Sequence, residues 1–365
     1  MKVIQFLPGL EGGGVEKGTL EVARFLVEQG HTSVVVSGGG RLVRQLEAEG
    51  SQHVEWNLGS KSLLTLRHIL PLRRWIRQQN ADILHVRSRM PAWMVWLAWR
   101  GIPKKERPHL ISTVHGLHSV NRYSAIMCCG ERVIAVSDTV KQYIATQYPK
   151  TDMSKVRVVY RGIEPEEFPR SYEPTAEWLT TWQEHYPQLM GKQVLTLAGR
   201  LTRLKGHHDF ISLVATLVNA GRPVHGLIVG GEDPKRQAYA QELYQRIKDE
   251  GLAAHITFTG ARSDIRDIYR QSTLVYSLST SPESFGRTVA EALAMGVPVV
   301  GYDHGGVGDI LAKVFPAGKV PLKDSDELQA TTARLLDAPE LPGEMPFLRQ
   351  NMLEQTLAVY REVLA

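Results

Sequence analysis

Short apolar runs alternate with segments of helical spacing along almost the whole chain. Runs at 2–7, 32–37, 53–58, 81–86, 109–114, 132–137 and 156–160 read as strands, as do those at 194–198, 225–231, 255–259, 274–278 and 299–302. They are rich in Val, Ile and Leu and end in glycine or polar residues, the pattern of strands buried on both faces of a parallel sheet. Between them lie helical segments such as 15–29, where Leu20, Ala23, Leu26 and Val27 fall on one side. Others are 41–50, 207–220, 239–250 and the amphipathic terminal segment 347–365. The spacing predicts an α/β protein built of two doubly wound Rossmann-like domains. The expected division is 1–168 with the terminal helix of about 347–365, and 169–346.

The most informative stretch is 281–300. Pro282 and Gly286 bracket a loop, 288–295 has helical spacing, Gly296 ends the helix, and Val297-Pro-Val-Val begins a strand. Glu283 and Glu291 stand at either end of the helix start. Were both helical, eight steps would place them about 80° apart and about 12 Å along the axis, too far to share a proton but suited to an elongated ligand. The helix N-terminus between them offers free amides to phosphate. Two solvated glutamates on an ordinary helix are the plain structural alternative.

Taken with Ser-Pro-Glu-Ser-Phe-Gly before the helix and Ala-Met-Gly-Val-Pro-Val-Val after it, the two glutamates resemble the signature of retaining glycosyltransferase family 4, which has the GT-B fold. The resemblance implies two Rossmann-like domains facing a cleft, with the terminal helix crossing back to the first. It also implies that Glu283 contacts the donor sugar, Glu291 the ribose, and Ser284, Phe285 and Gly286 the donor through backbone amides.

Other segments fit the same resemblance. Gly199-Arg200-Leu201 through Lys205-Gly206 follows a strand, and two cations at a strand's C-terminal edge can neutralise a diphosphate leaving group. His115 ends the strand 109–114; the family's histidine there faces the donor sugar. The loop 9–14, with Gly13 and Gly14, lacks the G-x-G-x-x-G dinucleotide fingerprint because Lys17 stands at the last position. Its family counterpart lies near the donor diphosphate. Gly230 and Arg262 are expected donor contacts, the latter beside the base. Residues 161–164, Arg-Gly-Ile-Glu, stand where the family has Asn-Gly-Ile-Asp, so Arg161 and Glu164 depart from the pattern. Asp324-Ser-Asp326 has metal-binding spacing but sits at a helix start, and no metal or other cofactor is expected.

Net charge is +5, unevenly spread: residues 1–170 hold 24 Lys/Arg against 15 Asp/Glu, leaving the remainder acidic. The basic half suits an anionic acceptor or an anionic membrane surface. The stretch 61–107 concentrates arginines with Trp93, Trp96 and Trp99, residues found at membrane interfaces. Packing of those tryptophans in the core is the alternative. No nucleic-acid motif accompanies the charge. The two cysteines, Cys128 and Cys129, are adjacent and suit reduced thiols; no signal peptide or membrane-spanning run is apparent. The expectation is a cytoplasmic enzyme, peripheral on the inner membrane face. It would transfer a sugar from a nucleotide sugar, UDP first among them, to a lipopolysaccharide-core or related glycan or glycolipid acceptor. With no separate nucleophile in view, the expected route is a same-face displacement assisted by the leaving phosphate. A GT-B epimerase or phosphorylase, or a non-catalytic sugar-binding protein, would share the fold.

Overall fold

The computed structural model describes residues 1–60, 62–232 and 237–365. The chain forms two compact units, Met1–Gly162 with Arg349–Ala365, and Ile163–Leu348.

The first unit carries a seven-stranded parallel sheet. Its strands are β1 (Lys2–Phe6), β2 (Thr32–Ser37), β3 (Gln52–Glu55), β4 (Ile83–Val86), β5 (His109–Val114), β6 (Arg132–Ala135) and β7 (Val156–Val158). Their spatial order is β3-β2-β1-β4-β5-β6-β7. The central strands are buried on both faces, as their unbroken apolar runs require. One face packs on helices Ile69–Gln79, Arg89–Arg100 and Asp138–Gln147; the other is covered by Gly14–Glu28 and the terminal helix Arg349–Leu364. That terminal helix buries Met352, Leu353, Leu357 and Tyr360 against Val3, Ile83 and Ile111 of the sheet.

The second unit has six parallel strands: β8 (Gln193–Ala198), β9 (Val224–Val229), β10 (Ile256–Gly260), β11 (Leu274–Ser277), β12 (Val299–Tyr302) and β13 (Lys319–Val320), ordered β10-β9-β8-β11-β12-β13. The last strand has only two residues, too short for hydrophobic alternation to reveal it. Residues 170–190, which carry no functional signature, contribute helix Ala176–His185. Trp178 and Trp182 stack with ring centroids 4.9 Å apart, and Trp182 packs on Leu227, Val229 and Ile268. Asp324 caps helix Ser325–Asp337 by accepting from the amide of Glu327 at 2.9 Å.

The tryptophans do not form an exposed belt. Trp93, Trp96 and Trp99 are half-buried against the first unit's core. Trp93 and Trp99 donate their ring N–H to the carbonyls of Tyr123 and Pro108 at 2.9 and 2.7 Å, while Arg100 and Arg107 lie over the rings of Trp96 and Trp99. Burying an indole with its N–H satisfied outweighs leaving it in water. Among the described residues no helix is long and apolar enough to cross a membrane.

Candidate active site

In the second unit the strand order reverses between β8 and β11. Connections from β8 run outward through β9 and β10, then return to β11 on the other side. A crevice opens at the C-terminal ends of two such strands, where neighbouring loops diverge. The loop after β8 holds Lys205 and the loop after β11 holds Glu283. Their side chains meet across this switch point, Lys205 Nζ to Glu283 Oε1 at 2.7 Å. The same carboxylate oxygen accepts from Ser279 Oγ at 2.5 Å.

Backbone packing fixes both loops. Gly206 follows Lys205 in a left-handed conformation (φ 73°), and a Cβ there would lie 2.1 Å from the carbonyl oxygen of Leu278. Only glycine lets the two loops approach so closely. The Thr280 amide donates to the Leu204 carbonyl at 2.8 Å, a second tie between them. On the other side, Gly306 N–H donates to the Glu283 carbonyl at 2.7 Å, so the loop after β12 braces the glutamate's backbone.

The helix that follows is Arg287–Ala294, with Gly286 as its N-cap at φ 96°. Glu283 therefore lies outside the helix, in a bridge to Gly305, and the helical estimate of its separation from Glu291 does not apply. Ser284 is half-buried and Phe285 fully so, its ring edge-on to Phe347. Glu291 is half-buried in the fifth position of the helix; the enclosed Tyr269 phenol is raised well above its ordinary pKa by its own burial, and the charge of Glu291 adds to the effect.

The remaining residues of this unit differ in their commitments. Arg200 is exposed beside the switch point and makes no hydrogen bond or ion pair with the described residues. Gly230 packs against its own fold: a Cβ would sit 1.9 Å from the Gly199 carbonyl oxygen, so glycine is required there by the β8–β9 loop contact itself. Arg262 forms a two-point pair with Asp264, which also accepts from Trp178 Nε1 at 2.8 Å. Its guanidinium is engaged locally before any ligand arrives.

In the first unit the order reverses between β1 and β4. The loop after β1 contains Gly13 and Gly14 and leads into helix Gly14–Glu28. The amides of Gly12 and Gly13 both donate to the Glu16 carboxylate, which closes a capping interaction over them. An anion approaching these amides must displace that carboxylate. Nothing lies within 4 Å of the Cβ direction of Gly14.

His115 follows β5. Its Nδ1 lies 2.8 Å from Arg161 Nη2, and its Nε2 is shut off from solvent with no hydrogen-bond partner among the described residues. Burial holds the imidazole well below its ordinary pKa, with the positive charge of Arg161 and then Arg87 adding to the effect. Arg87, which the sequence places in a basic surface run, is instead buried, and donates to Gln5 Oε1 at 2.8 Å. His85 is fully buried in β4 between the Tyr360 hydroxyl at 2.6 Å and the Thr113 hydroxyl at 2.7 Å. His85, Arg87, Thr113, His115 and Arg161 line one small cavity of about 20 Å³. No local pattern marks His85 or Tyr360, since their residues are 275 positions apart; alternation within the run 81–86 only places His85 inside the sheet.

Two doubly wound parallel α/β units are the architecture of GT-B glycosyltransferases. The structure of a glycosyltransferase from Rickettsia africae superposes with a TM-score of 0.86 at 28% identity, covering 100% of this chain and 98% of that one. Anabaena Alr3699/HepE, solved in complex with UDP and glucose, superposes at 0.74 with 19% identity, again covering 100% and 98%. The Glycosyltransferase Family 4 model matches residues 12–167, and that of glycosyl transferases group 1 matches 180–346. The chain is 22% identical to spore coat protein SA of Bacillus subtilis over 84% of this chain and 80% of that protein. It is 30% identical to the lipopolysaccharide core biosynthesis mannosyltransferase LpsB of Rhizobium meliloti over 50% and 48%. The chain belongs to glycosyltransferase family 4, and it is a transferase enzyme.

Proposed function

We propose that this enzyme transfers a sugar from a nucleotide sugar, most simply a UDP-sugar, to a hydroxyl of an anionic surface-glycan acceptor of the lipopolysaccharide-core kind, with retention at the anomeric carbon. The Lys205–Glu283 pair astride the second unit's switch point carries this reading. Lys205, with the exposed Arg200, neutralises the departing diphosphate, and Glu283 holds the donor sugar. The amides of 284–286 take donor oxygens, and Glu291 accepts from the ribose hydroxyls. In the first unit His115 is assigned to the sugar, and Gly13 and Gly14 to the donor side. The bond between the anomeric carbon and the diphosphate oxygen breaks as the bond to the acceptor oxygen forms on the same face, and the acceptor proton passes to that departing phosphate oxygen. The UDP complex of the structural neighbour and the named role of LpsB support donor and acceptor respectively.

The basic first unit supports an anionic acceptor held at a membrane. Leu64, Leu66 and Leu70 are exposed beside the exposed Arg67 and Arg74, a face that joins apolar anchors to cations. Flotation with anionic vesicles, absent with neutral ones, is the expected result; equal binding to both removes the electrostatic part.

The donor is tested by thermal shifts of the protein with UDP-, GDP- and ADP-sugars, beside Glu291→Ala. A ligand at about 100 times its Kd adds about 2.7 kcal/mol of stability. Stabilisation by one nucleotide class, weakened in the variant, is expected. No response from folded protein to any nucleotide sugar overturns the donor reading.

A further inference from the structure

We propose that Arg161 is a positioning residue of this site: its guanidinium fixes His115 as the neutral tautomer protonated on Nε2 and ties that ring to the glycine loop. The inference rests on the assignment of His115 to the donor.

The chemistry leaves one choice of proton position. A guanidinium is always protonated and has five N–H donors and no acceptor. Arg161 Nη2 lies 2.8 Å from His115 Nδ1, so Nδ1 must offer its lone pair and the ring proton must sit on Nε2. The other arm, Nη1, donates to the Gly14 carbonyl at 2.8 Å. One planar group thus joins the loop after β1 to the end of β5. It lies flat against helix Gly14–Glu28 because residue 18 is glycine: a Cβ there would stand 3.0 Å from Arg161 Nη1 and 3.5 Å from Arg87 Nη2.

The consequence is a buried N–H donor without a partner among the described residues, on a ring that stays neutral. The charged and titratable groups around His115 are Arg161, Arg87, His85 and His118, and each disfavours the imidazolium. His115 is therefore built to donate a hydrogen bond from Nε2 to an oxygen, and not to shuttle protons. An asparagine at position 161 would carry no charge and could present its amide either way round. The departure from the family's Asn at this position is what commits the tautomer.

Nitrogen-15 NMR of the histidine-labelled full chain tests this without any substrate, with the His115 signals assigned by their loss in His115→Gln. The expected wild-type result is a protonated Nε2, an accepting Nδ1 and no titration between pH 8 and 5. Arg161→Met is expected to give mixed tautomers and a titration moved upward into that window, while Arg161→Lys, which keeps charge and a donor, retains the wild-type pattern. A proton on Nδ1 in the wild type, or an Arg161→Met spectrum and titration like the wild type, overturns the proposal. Should Arg161→Met not fold, Gly18→Ala, which crowds the guanidinium, is expected to perturb the His115 signals; unchanged signals there count against it. Because the spectrum reads the ring alone, a lack of nucleotide-sugar binding defeats the donor assignment and leaves this result standing.

Discussion

Lys205 Nζ and Glu283 Oε1 lie 2.7 Å apart, although one residue follows β8 and the other follows β11. The pair brings opposite charges to the switch point of the second sheet and leaves both partly exposed, at 31% and 24%. Partly exposed pairs of this kind contribute about 0–1 kcal/mol to stability. Lys205→Ala is therefore expected to shift the melting temperature by no more than a few degrees while lowering turnover about 100-fold or more, the scale for losing one transition-state charge contact. Release of nucleoside diphosphate from the donor identified by thermal shift checks this. Unchanged turnover removes Lys205 from the chemistry.

Gly206→Ala tests the loop contact rather than the charge. It combines a left-handed backbone with a Cβ 2.1 Å from a carbonyl oxygen. Strain and displacement of the β11 loop are expected to cost about 3 kcal/mol or more. Urea unfolding should show a lower midpoint, and donor binding should weaken as Glu283 shifts. A midpoint within error of wild type contradicts the packing described.

Tyr360→Phe removes the hydroxyl that meets His85 Nδ1 and leaves a buried ring nitrogen unpaired. Loss of such a partner costs about 1–3 kcal/mol. The expected outcome is a destabilised first unit, followed by hydrogen exchange of β4 and β5, with the second unit's strands unchanged.

Acid should destabilise the protein before its carboxylates titrate. Burial lowers His207 and His225 to about 4, and holds His85 and His115 well below their ordinary value. Below pH 6.5 the unfolded chain takes up protons that the folded chain refuses. Stability is thus full above about 6.5 and is lost progressively as pH falls toward 4. Melting temperatures at constant ionic strength should decline across that window, and less steeply in His225→Asn. A flat profile from 7.5 to 4.5 would show these rings to be accessible to protons.

The alternation of strands and helices along the chain, the two doubly wound units and the glycines that punctuate the stretch from Gly199 to Gly306 were legible from local pattern. Buried parallel strands are continuous apolar runs, and tight loops at their ends demand glycine, so Gly206 and Gly286 are visible in one dimension. Even the side of the terminal helix that faces the sheet follows from the spacing of Leu353, Leu357 and Tyr360.

Contacts between segments distant in sequence were not legible, because no local rule encodes which loops a sheet brings together. Arg87 reads as one more surface cation until β4 places it inside the fold. Glu283 reads as a loop residue between Pro282 and Gly286, but the sequence does not show that Gly305 and Gly306 brace it. The tryptophans of 93–99 fit an interface belt or the core equally well by sequence, and only the fold shows the core and two carbonyls taking them up. The sequence by itself determined the longer strands and helices, their succession along the chain and the residue types at the strand ends. Only the tertiary structure decided that Lys205 meets Glu283 and that Arg161 meets His115, since both pairs depend on strand order and loop packing, which bring together residues dozens of positions apart.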